Sequence, residues 1–273
     1  TNTITGVADA MIASTPIVVI CGQVGAAMLG TDAFQEVDVV GITQPITKWN
    51  YQIRRAEDIA WAVSRAFYIA SSGRPGPVVL DFTKNAQTAM IDYEPKNIDF
   101  IRSYNPVPTP AEGSVENAAR MINDSVKPFM LVGQGVELAD ARDELLALCE
   151  KAQIPFGTTF LGLSAAPSDH PLNMGKLGMH GNLAPNVMTN QCDLLIAVGM
   201  RFDDRVTGNL KNYAKQARII HFDIDPSEID KNVKVNPAVL GDCKHTLAEV
   251  TRLVDAATHN SWIEGFKPYD EKE

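Results

Sequence analysis

Cysteine is scarce in this chain of 273 residues, which contains four. They are Cys21, Cys149, Cys192 and Cys243, and they lie far apart in the sequence. Neither the CxxC nor the HExxH spacing that metal ligands adopt occurs in the chain. The thiols are therefore expected to be reduced, as in the cytoplasm, and the sequence predicts no metal site of its own.

Long apolar runs and basic clusters are missing as well. No run approaches the roughly 18 residues that suggest a membrane span, and the N-terminus shows no signal-peptide pattern. Lysine and arginine number 24 against 33 aspartates and glutamates, which gives a formal net charge of -9. Because phosphate backbones are bound by clustered cations, neither nucleic acid nor a membrane is expected as a partner. A few arginines still suffice to hold a small anionic substrate.

The chain does contain an alternation of strand-like and helix-like segments. Residues 16–22 and 77–82 are short, apolar and rich in β-branched side chains, which is typical of strands buried on both faces. Between them, residues 55–73 show helical periodicity and end at a glycine, a common helix stop. This helix is predicted to bury one stripe of side chains: Ile59, Val63, Phe67 and Ala70.

A proline-rich stretch divides the chain into two domains. Pro106, Pro108 and Pro110 fall within five residues and favour an extended tether. Beyond them helices and strands alternate as far as residue 258, which predicts an α/β fold with a doubly wound, mostly parallel, Rossmann-like sheet. The polar and charged residues after 258 have the composition of a linker. Since the chain starts with Thr1 and not with methionine, we expect a piece of a longer protein.

Polar groups collect where four predicted strands of the second domain end, and ligands of doubly wound sheets bind at this edge. These groups are Gly133 and Gly135, the segment 158–162, Asp223 with Asp225, and RFDDRVTG at 201–208. Each has a plain alternative: tight turns for the glycines, capping for the hydroxyls and Asp225, and internal salt bridges within RFDDRVTG. The ligand hypothesis rests on the guanidinium fork, which suits phosphate oxygens, and on four strand ends that together suit a dinucleotide.

Two loops carry further candidates. The loop KLGMHG contains His180 between glycines that permit close approach of the backbone to a flat ring, although a lone loop histidine is more often a surface residue. In the loop GTDAFQE, the plain alternative to a functional role is a helical turn formed by AFQE and capped by Asp32. The pattern alone leaves both alternatives open.

Taken together, these segments resemble a known family. The stretches GTDAFQE, ITKWN, SGRPGPVVLDFTK, GMHG and RFDDRVTG occur in the order and at the spacings of the catalytic subunit of acetolactate synthase (acetohydroxyacid synthase), a thiamine-diphosphate enzyme that also binds FAD. The resemblance covers nearly the whole chain and favours the ligand hypothesis for RFDDRVTG. The sequence departs from the family pattern in three places: Thr83-Lys84-Asn85 replaces the usual PKD but leaves the lysine in place, Gln134 stands where a third glycine is common, and Gly25 stands where proline is common.

The resemblance implies a division into domains. Its parts are 1–95, the C-terminal half of an incomplete thiamine-diphosphate pyrimidine-binding domain; 96–112, a proline-rich linker; 113–257, the central FAD-binding domain; and 258–273, a linker toward a C-terminal diphosphate-binding domain. The family's activating glutamate and its GDG…N metal motif do not occur in this sequence. Thiamine diphosphate and Mg2+ are therefore expected in a full-length parent, with the metal site outside this chain.

The resemblance also implies an activity. The family decarboxylates pyruvate and joins the two-carbon unit to a second 2-oxo acid, pyruvate or 2-oxobutyrate, in the synthesis of valine, leucine and isoleucine. FAD is expected to be structural, and the implied partners are further copies in a homodimer or tetramer and a small regulatory subunit. The alternatives are an FAD- or nucleotide-binding fragment that forms no acetolactate by itself, and another thiamine-diphosphate lyase or oxidase.

Individual roles follow from the same resemblance. The positions that match FAD contacts, with Arg74 reaching over from the first domain, are Gly133, Gly135, Thr159, Phe160, Leu161, Leu177, Gly178, Met179, His180, Gly199, Arg201, Asp203, Arg205, Val206, Asp223, Ile224 and Asp242. The positions that match the catalytic channel are Phe34, Gln35, Lys84, Met179 and Arg205. Arg205 is expected to meet the carboxylate of the acceptor, with Gln35 and Lys84 as polar helpers. Phe34 is expected to shape an apolar pocket.

Overall fold

The computed structural model of the protein describes residues 1–272. The chain forms two compact units, Thr1–Pro106 and the part from Val107 onward. Both are built from parallel strands and helices, so the predicted α/β class is confirmed. The domain boundaries drawn from the sequence stay predictions.

The first unit is a three-stranded parallel sheet in the order β1, β3, β2. Its strands are β1 (Val18–Gln23), β2 (Trp49–Ile53) and β3 (Val78–Thr83). Its α-helices are α1 (Ile4–Ile12), α2 (Val39–Thr43), α3 (Ile59–Ser71) and α4 (Lys84–Thr88). Because β3 lies between the other two strands, Val78, Val79 and Leu80 are all buried, as the apolar run predicted. Strand β2 mixes aromatic and polar side chains and was not predicted.

Helix α3 forms within the predicted segment, but its buried face differs in part from the predicted stripe. Phe67, expected in the buried stripe, is 62% exposed. The residues buried are Ala62, Ala66, Ile69 and Ala70. Alanines four residues apart lie on one face of a helix, and their small side chains let that face approach the sheet closely. The predicted stripe is wrong for Phe67, whereas Ala70 is buried as predicted.

The second unit is a six-stranded parallel sheet in the order β6, β5, β4, β7, β8, β9. Its strands are β4 (Pro128–Val132), β5 (Phe156–Thr158), β6 (Asn173–Lys176), β7 (Leu194–Val198), β8 (Arg218–Asp223) and β9 (Ala238–Leu240). The chain runs outward from β4 to β6 and then returns to the other side of β4 for β7 to β9. The winding therefore reverses between β4 and β7, which is where ligands of doubly wound sheets bind.

Helices cover both faces of this sheet. They are α5 (Ser114–Asn123), α6 (Gln134–Leu138), α7 (Arg142–Ala152), α8 (Leu183–Thr189), α9 (Asp204–Thr207), α10 (Cys243–Leu253), α11 (Asn260–Glu264) and α12 (Lys267–Asp270). Strand β4 shows how the two cores are divided. Met130 and Val132 pack with α5, α7 and α10, whereas Phe129 and Leu131 pack with α8 and the C-terminal helices.

Residues 258–273, predicted as a linker, differ from that prediction because they contain α11 and α12. Trp262 is 6% exposed and Phe266 is 1% exposed. The indole Nε1 of Trp262 donates to the carbonyl oxygen of Pro128 over 2.8 Å. The ring centroids of Phe266 and Phe129 lie 5.5 Å apart. The Trp262 and Phe266 rings pack edge to face with their centroids 5.4 Å apart, although the average composition of the segment is polar.

No helix among residues 1–272 has the length and apolar character that a membrane crossing requires.

We expect Phe266→Ala to destabilise the second unit by about 3–5 kcal/mol, because it empties a fully buried aromatic site. Urea unfolding measures the loss. Phe100→Ala is the matched control, since that ring is exposed in the first unit and its removal should change the free energy of unfolding by less than about 0.5 kcal/mol. Equal effects of the two substitutions would contradict the packing of the C-terminal helices.

Candidate functional site

The loops that follow β4 and β7 cross in direct backbone contact. A Cβ atom added to Gly133 would lie 2.2 Å from the carbonyl oxygen of Gly199, and one added to Gly135 would lie 2.6 Å from the Gly199 Cα. The amide of Gly135 donates to the Gly199 carbonyl oxygen over 2.9 Å, and Gly199 has φ +55°. These three glycines are therefore required for close packing at the reversal of the sheet, which supports the tight-turn interpretation. Their contact with FAD stays a prediction.

A cysteine is hydrogen-bonded to the same crossing. The thiol of Cys243 lies 3.4 Å from the carbonyl oxygen of Gly135 and donates to it. Burial raises the pKa of Cys243 to about 12. Asp242, the preceding residue, accepts the amide of Lys244 over 2.8 Å and so caps α10. After β9, the Asp242 and Cys243 side chains therefore have structural roles: one caps α10 and the other bonds the loop that follows β4.

The segment after β5 combines a cap with an exposed apolar surface. Thr159 accepts the amide of Gly162 over 3.1 Å and begins a short 3-10 helix, so the predicted capping role of a hydroxyl is confirmed. Phe160 and Leu161 follow in that helix, and both side chains are exposed. Apolar side chains exposed beside the sheet reversal are suited to a flat aromatic ligand.

The loop after β6 is pinned to the segment that follows β7. Its Gly178 exchanges two hydrogen bonds with the Asn186 side chain, of 3.0 and 2.9 Å. The amide of Met179 donates to the Arg205 carbonyl oxygen over 2.8 Å, and Arg205 Nη1 lies 3.8 Å from the Met179 sulfur. Leu177 is buried beneath the loop, whereas Met179 and His180 are exposed. The structure thus brings together two of the predicted channel residues.

At residues 200–203, which include the start of RFDDRVTG, buried and partly exposed side chains alternate. Met200 and Phe202 are buried, and Arg201 and Asp203 between and beyond them are partly exposed. The Asp203 carboxylate accepts the backbone amides of Arg205 and Val206, over 3.0 and 3.3 Å, and so caps α9. Its second oxygen lies 3.6 Å from Arg201 Nη2. The predicted internal salt bridge is therefore present, and Arg201 keeps donors that this single long contact does not use.

The other arginine of the segment points into solvent. Arg205 Nε lies 3.9 Å from Asp204 Oδ2, and both side chains are strongly exposed. Exposed ion pairs of this length contribute little to stability. Val206, next along, is partly buried against the core of the second unit. Arg205 therefore offers a guanidinium group that is held weakly by its neighbour.

The end of β8 is more enclosed than the sequence indicated. Asp223 is 8% exposed, and its Oδ1 accepts the amide of Asp225 over 2.8 Å. Its Oδ2 lies 3.3 Å from His221 Nε2. Asp225 accepts the amide of Ser227 over 2.9 Å, which confirms its predicted capping role, and Ile224 between the two acids is partly buried. A carboxylate has lone pairs beyond these bonds, so Asp223 can still accept a hydroxyl.

Sequence reasoning did not find His221, Asn186 or Asn232, which hold these loops. Each bonds the backbone of another segment, and Asn232 does so by donating to the Phe202 carbonyl oxygen over 2.8 Å. The one available signal was a histidine in the middle of an apolar strand. Among the residues that the structure describes, no group of three or more His, Cys, Asp or Glu is placed to hold a metal ion.

The first unit carries the remaining candidates on loops and at the start of α4. Phe34 is 88% exposed, and Gln35 next to it has φ +67°. Lys84 is exposed where β3 passes into α4, and Arg74 Nε donates to Ser14 Oγ over 2.9 Å. Because these residues and the Met179–Arg205 pair belong to different units, their predicted grouping in one channel stays a prediction.

The loop of Phe34 is organised by an acid other than the one predicted. Residues 33–36 form a turn and not a helix, and Asp32 has φ +58°. Instead the Glu36 carboxylate accepts the backbone amides of Gly30, Thr31 and Ala33. The capping role predicted for Asp32 is therefore wrong. The bond from the Gly30 amide, with the others, holds the pKa of Glu36 below its usual value.

We expect the order of this loop to be lost in acid. A carboxyl group with a lowered pKa in the folded state stabilises at pH values above its unfolded pKa, and this contribution disappears as pH falls through the lowered value. The amide proton chemical shifts of Gly30 and Thr31 are followed by NMR from pH 7 to pH 2 in steps of about one pH unit. They should change as the Glu36 carboxylate is protonated. Glu36→Gln should abolish that titration and Asp32→Asn should retain it. Titration that persists in Glu36→Gln would refute the assignment.

Two protein-family models match the chain. One is described as the central domain of thiamine pyrophosphate enzymes and matches residues 115–250. The other is described as the N-terminal TPP binding domain of thiamine pyrophosphate enzymes and matches residues 1–42. A solved structure of a thiamin diphosphate-dependent enzyme from Mycobacterium smegmatis has a TM-score of 0.76 and 25% identity, over 93% of this chain and 49% of that one.

Curated relatives give a narrower match. The acetolactate synthase large subunit of Corynebacterium glutamicum is 45% identical over 98% of this chain and 44% of its own length. The acetolactate synthase isozyme 1 large subunit of Escherichia coli is 44% identical over 96% of this chain and 46% of its own length. A probable acetolactate synthase large subunit of Methanocaldococcus jannaschii is 42% identical, with coverages of 97% and 46%. The chain thus spans less than half the length of these relatives. It belongs to the thiamine pyrophosphate enzyme family, as a homologue of acetolactate synthase large subunits.

Proposed function

We propose that this chain supplies a flavin-binding unit and part of the substrate channel of an acetolactate synthase. The observation that carries the proposal is the joining of Met179 to Arg205 at the sheet reversal, in a chain 42–45% identical to acetolactate synthase large subunits. The relatives' names describe proteins about twice as long as this chain, so the reaction is proposed for the whole protein.

The carboxyl edge of the second sheet fits FAD. Arg201 is a cation beside the sheet reversal, and its planar fork suits a diphosphate. Phe160 and Leu161 expose apolar surface in the loop after β5, which suits the flavin ring or the adenine. Asp223 ends the strand next to β7 with acceptor capacity for a ribose hydroxyl. Anionic, apolar and hydroxyl-bearing parts of one dinucleotide thus each have a chemical counterpart.

The proposed role of Arg205 is to hold the carboxylate of a 2-oxo acid such as pyruvate or 2-oxobutyrate. Its guanidinium group is exposed, and its one ion pair, with Asp204, is 3.9 Å long. The amide of Met179 fixes the Arg205 backbone, so the base of the side chain is oriented while its tip stays available. Thiamine diphosphate, when bound, supplies the electron sink for decarboxylation.

Phe34, Gln35 and Lys84 are proposed to complete the channel. Phe34 and Gln35 project from the turn that Glu36 organises, which leaves an exposed apolar ring beside an exposed amide. Lys84 offers a cation at the carboxyl end of β3, the edge at which parallel sheets bind ligands. We further propose Mg2+ as the counterion of the diphosphate, held by residues outside this chain.

The relatives are called large subunits, which implies a small subunit as a partner. We propose that this partner is regulatory, that the protein is a homodimer or tetramer, and that it acts in the cytoplasm in the synthesis of branched-chain amino acids. The alternative remains that this chain by itself binds a flavin or nucleotide without catalysis. It is favoured by the location of Arg201, Phe160 and Asp223, which all lie in the second unit.

We expect the chain to bind FAD, and Arg201→Ala to weaken binding by about ten- to hundredfold, the loss of one charge-assisted hydrogen bond. Flavin fluorescence titration measures the affinity. Arg218→Ala is the matched control, because Arg218 is an exposed arginine at the amino end of β8, the opposite edge of the sheet. Unchanged affinity in Arg201→Ala, or an equal loss in the control, would contradict the proposed site.

The reaction is tested in a chimera. We expect the Corynebacterium glutamicum large subunit, with its matching residues replaced by this chain, to form acetolactate from pyruvate with thiamine diphosphate, Mg2+ and FAD. Arg205→Ala should lower kcat/KM by about a hundredfold, and Arg205→Lys should lower it less because it keeps the charge without the fork. A folded chimera that binds FAD and forms no acetolactate would overturn the proposed reaction.

A further inference from the structure

His221 is a polar residue buried in an apolar strand. It lies in β8 between Ile220 and Phe222, and its side chain is 1% exposed. Its Nε2 lies 2.9 Å from the carbonyl oxygen of Met200 and 3.3 Å from Oδ2 of Asp223. A carbonyl oxygen only accepts, so this geometry assigns a hydrogen to Nε2, which donates to both oxygens.

The other ring nitrogen has no such bonds. Nδ1 of His221 is buried without a hydrogen-bond partner in the described part of the chain. An unsatisfied buried polar atom is unfavourable, and a leucine or phenylalanine at this position would avoid it. The His221 ring also packs edge to face against the Phe202 ring, with the ring centroids 5.2 Å apart. An apolar ring makes this contact equally well. Packing alone therefore does not account for an imidazole here.

The two acceptors of Nε2 belong to neighbouring strand ends. Met200 begins the alternating segment 200–203, in which Met200 and Phe202 face inward while Arg201 and Asp203 are partly exposed. A tether on the Met200 carbonyl fixes the backbone immediately before Arg201. The same N–H fixes the carboxylate at the end of β8, so one donor sets the relative positions of both groups.

We propose that His221 is a positioning residue for ligand binding, which holds the segment 200–203 and the Asp223 carboxylate in one arrangement. The ligand class is an anionic nucleotide, whose phosphate meets Arg201 and whose sugar hydroxyl meets Asp223. The proposal rests on the flavin site proposed above and adds a residue that does not touch the ligand. Asn232, which binds the Phe202 carbonyl oxygen over 2.8 Å, supports the same segment from a second point.

Three substitutions at position 221 separate positioning from packing. His221→Gln keeps an N–H donor at the position of Nε2. His221→Asn keeps an amide, but its side chain is too short for that amide to reach the Met200 carbonyl oxygen. His221→Phe keeps an aromatic ring without a donor. Ile220→Ala is the control, because this residue is buried on the opposite face of the same strand and its loss destabilises β8 without removing the tether. Amide hydrogen exchange of residues 200–203, FAD titration and thermal unfolding are measured for each variant.

We expect His221→Phe and His221→Asn to accelerate exchange in residues 200–203 and to weaken FAD binding by about ten- to hundredfold. His221→Gln should stay within about threefold of the parent affinity, and Ile220→Ala should lower the melting temperature while leaving affinity within the same range. If His221→Phe does not fold, the comparison of Gln with Asn decides the matter.

Two outcomes overturn the proposal: exchange in residues 200–203 that is unchanged when the donor is removed, or an equal loss of FAD affinity in Ile220→Ala. If the parent chain binds no FAD while loss of the donor still accelerates exchange at 200–203, the positioning role is supported and the flavin assignment fails.

Discussion

The second unit depends on a backbone crossing that leaves no space for side chains. The segments after β4 and β7 approach until a single Cβ atom on Gly133 would overlap the Gly199 carbonyl oxygen. Glycine is the residue without that atom, and Gly199 in addition adopts a positive φ. The reversal of winding therefore requires glycine in the segment after β4 and in the segment after β7.

Around that crossing, two polar side chains that cap helices also lie beside groups of the proposed binding site. Asp203 caps α9 and also lies beside Arg201, and Thr159 caps a 3-10 helix next to two exposed apolar side chains. A cap uses one oxygen of the side chain and fixes its rotamer, which leaves the neighbouring group presented in a defined direction. Capping and ligand binding are thus not exclusive explanations at this edge. The structural role organises the loop on which the proposed binding role depends.

The sequence predicted the strands better than the contacts between segments. Buried parallel strands such as β3, β4 and β7 appear as continuous apolar runs, and the alternation with helices predicts a doubly wound sheet. The buried face of α3 was mistaken at Phe67, because three alanines four residues apart, together with Ile69, form the fully buried part of that face. His221 was missed because its acceptors, Met200 and Asp223, come together only in the folded chain. Local patterns carry no information on such pairs.

The bond from Trp262 to Pro128 joins positions 134 residues apart. It links the last helices to the start of β4, the first strand of the second unit. Contacts of such long sequence separation require a large loop to close before they stabilise anything, and this slows folding. During synthesis, the apolar face around Phe129 and Met188 lacks its aromatic cover until the ribosome has released residue 266. The nascent chain is therefore most exposed to aggregation just before the second unit is complete.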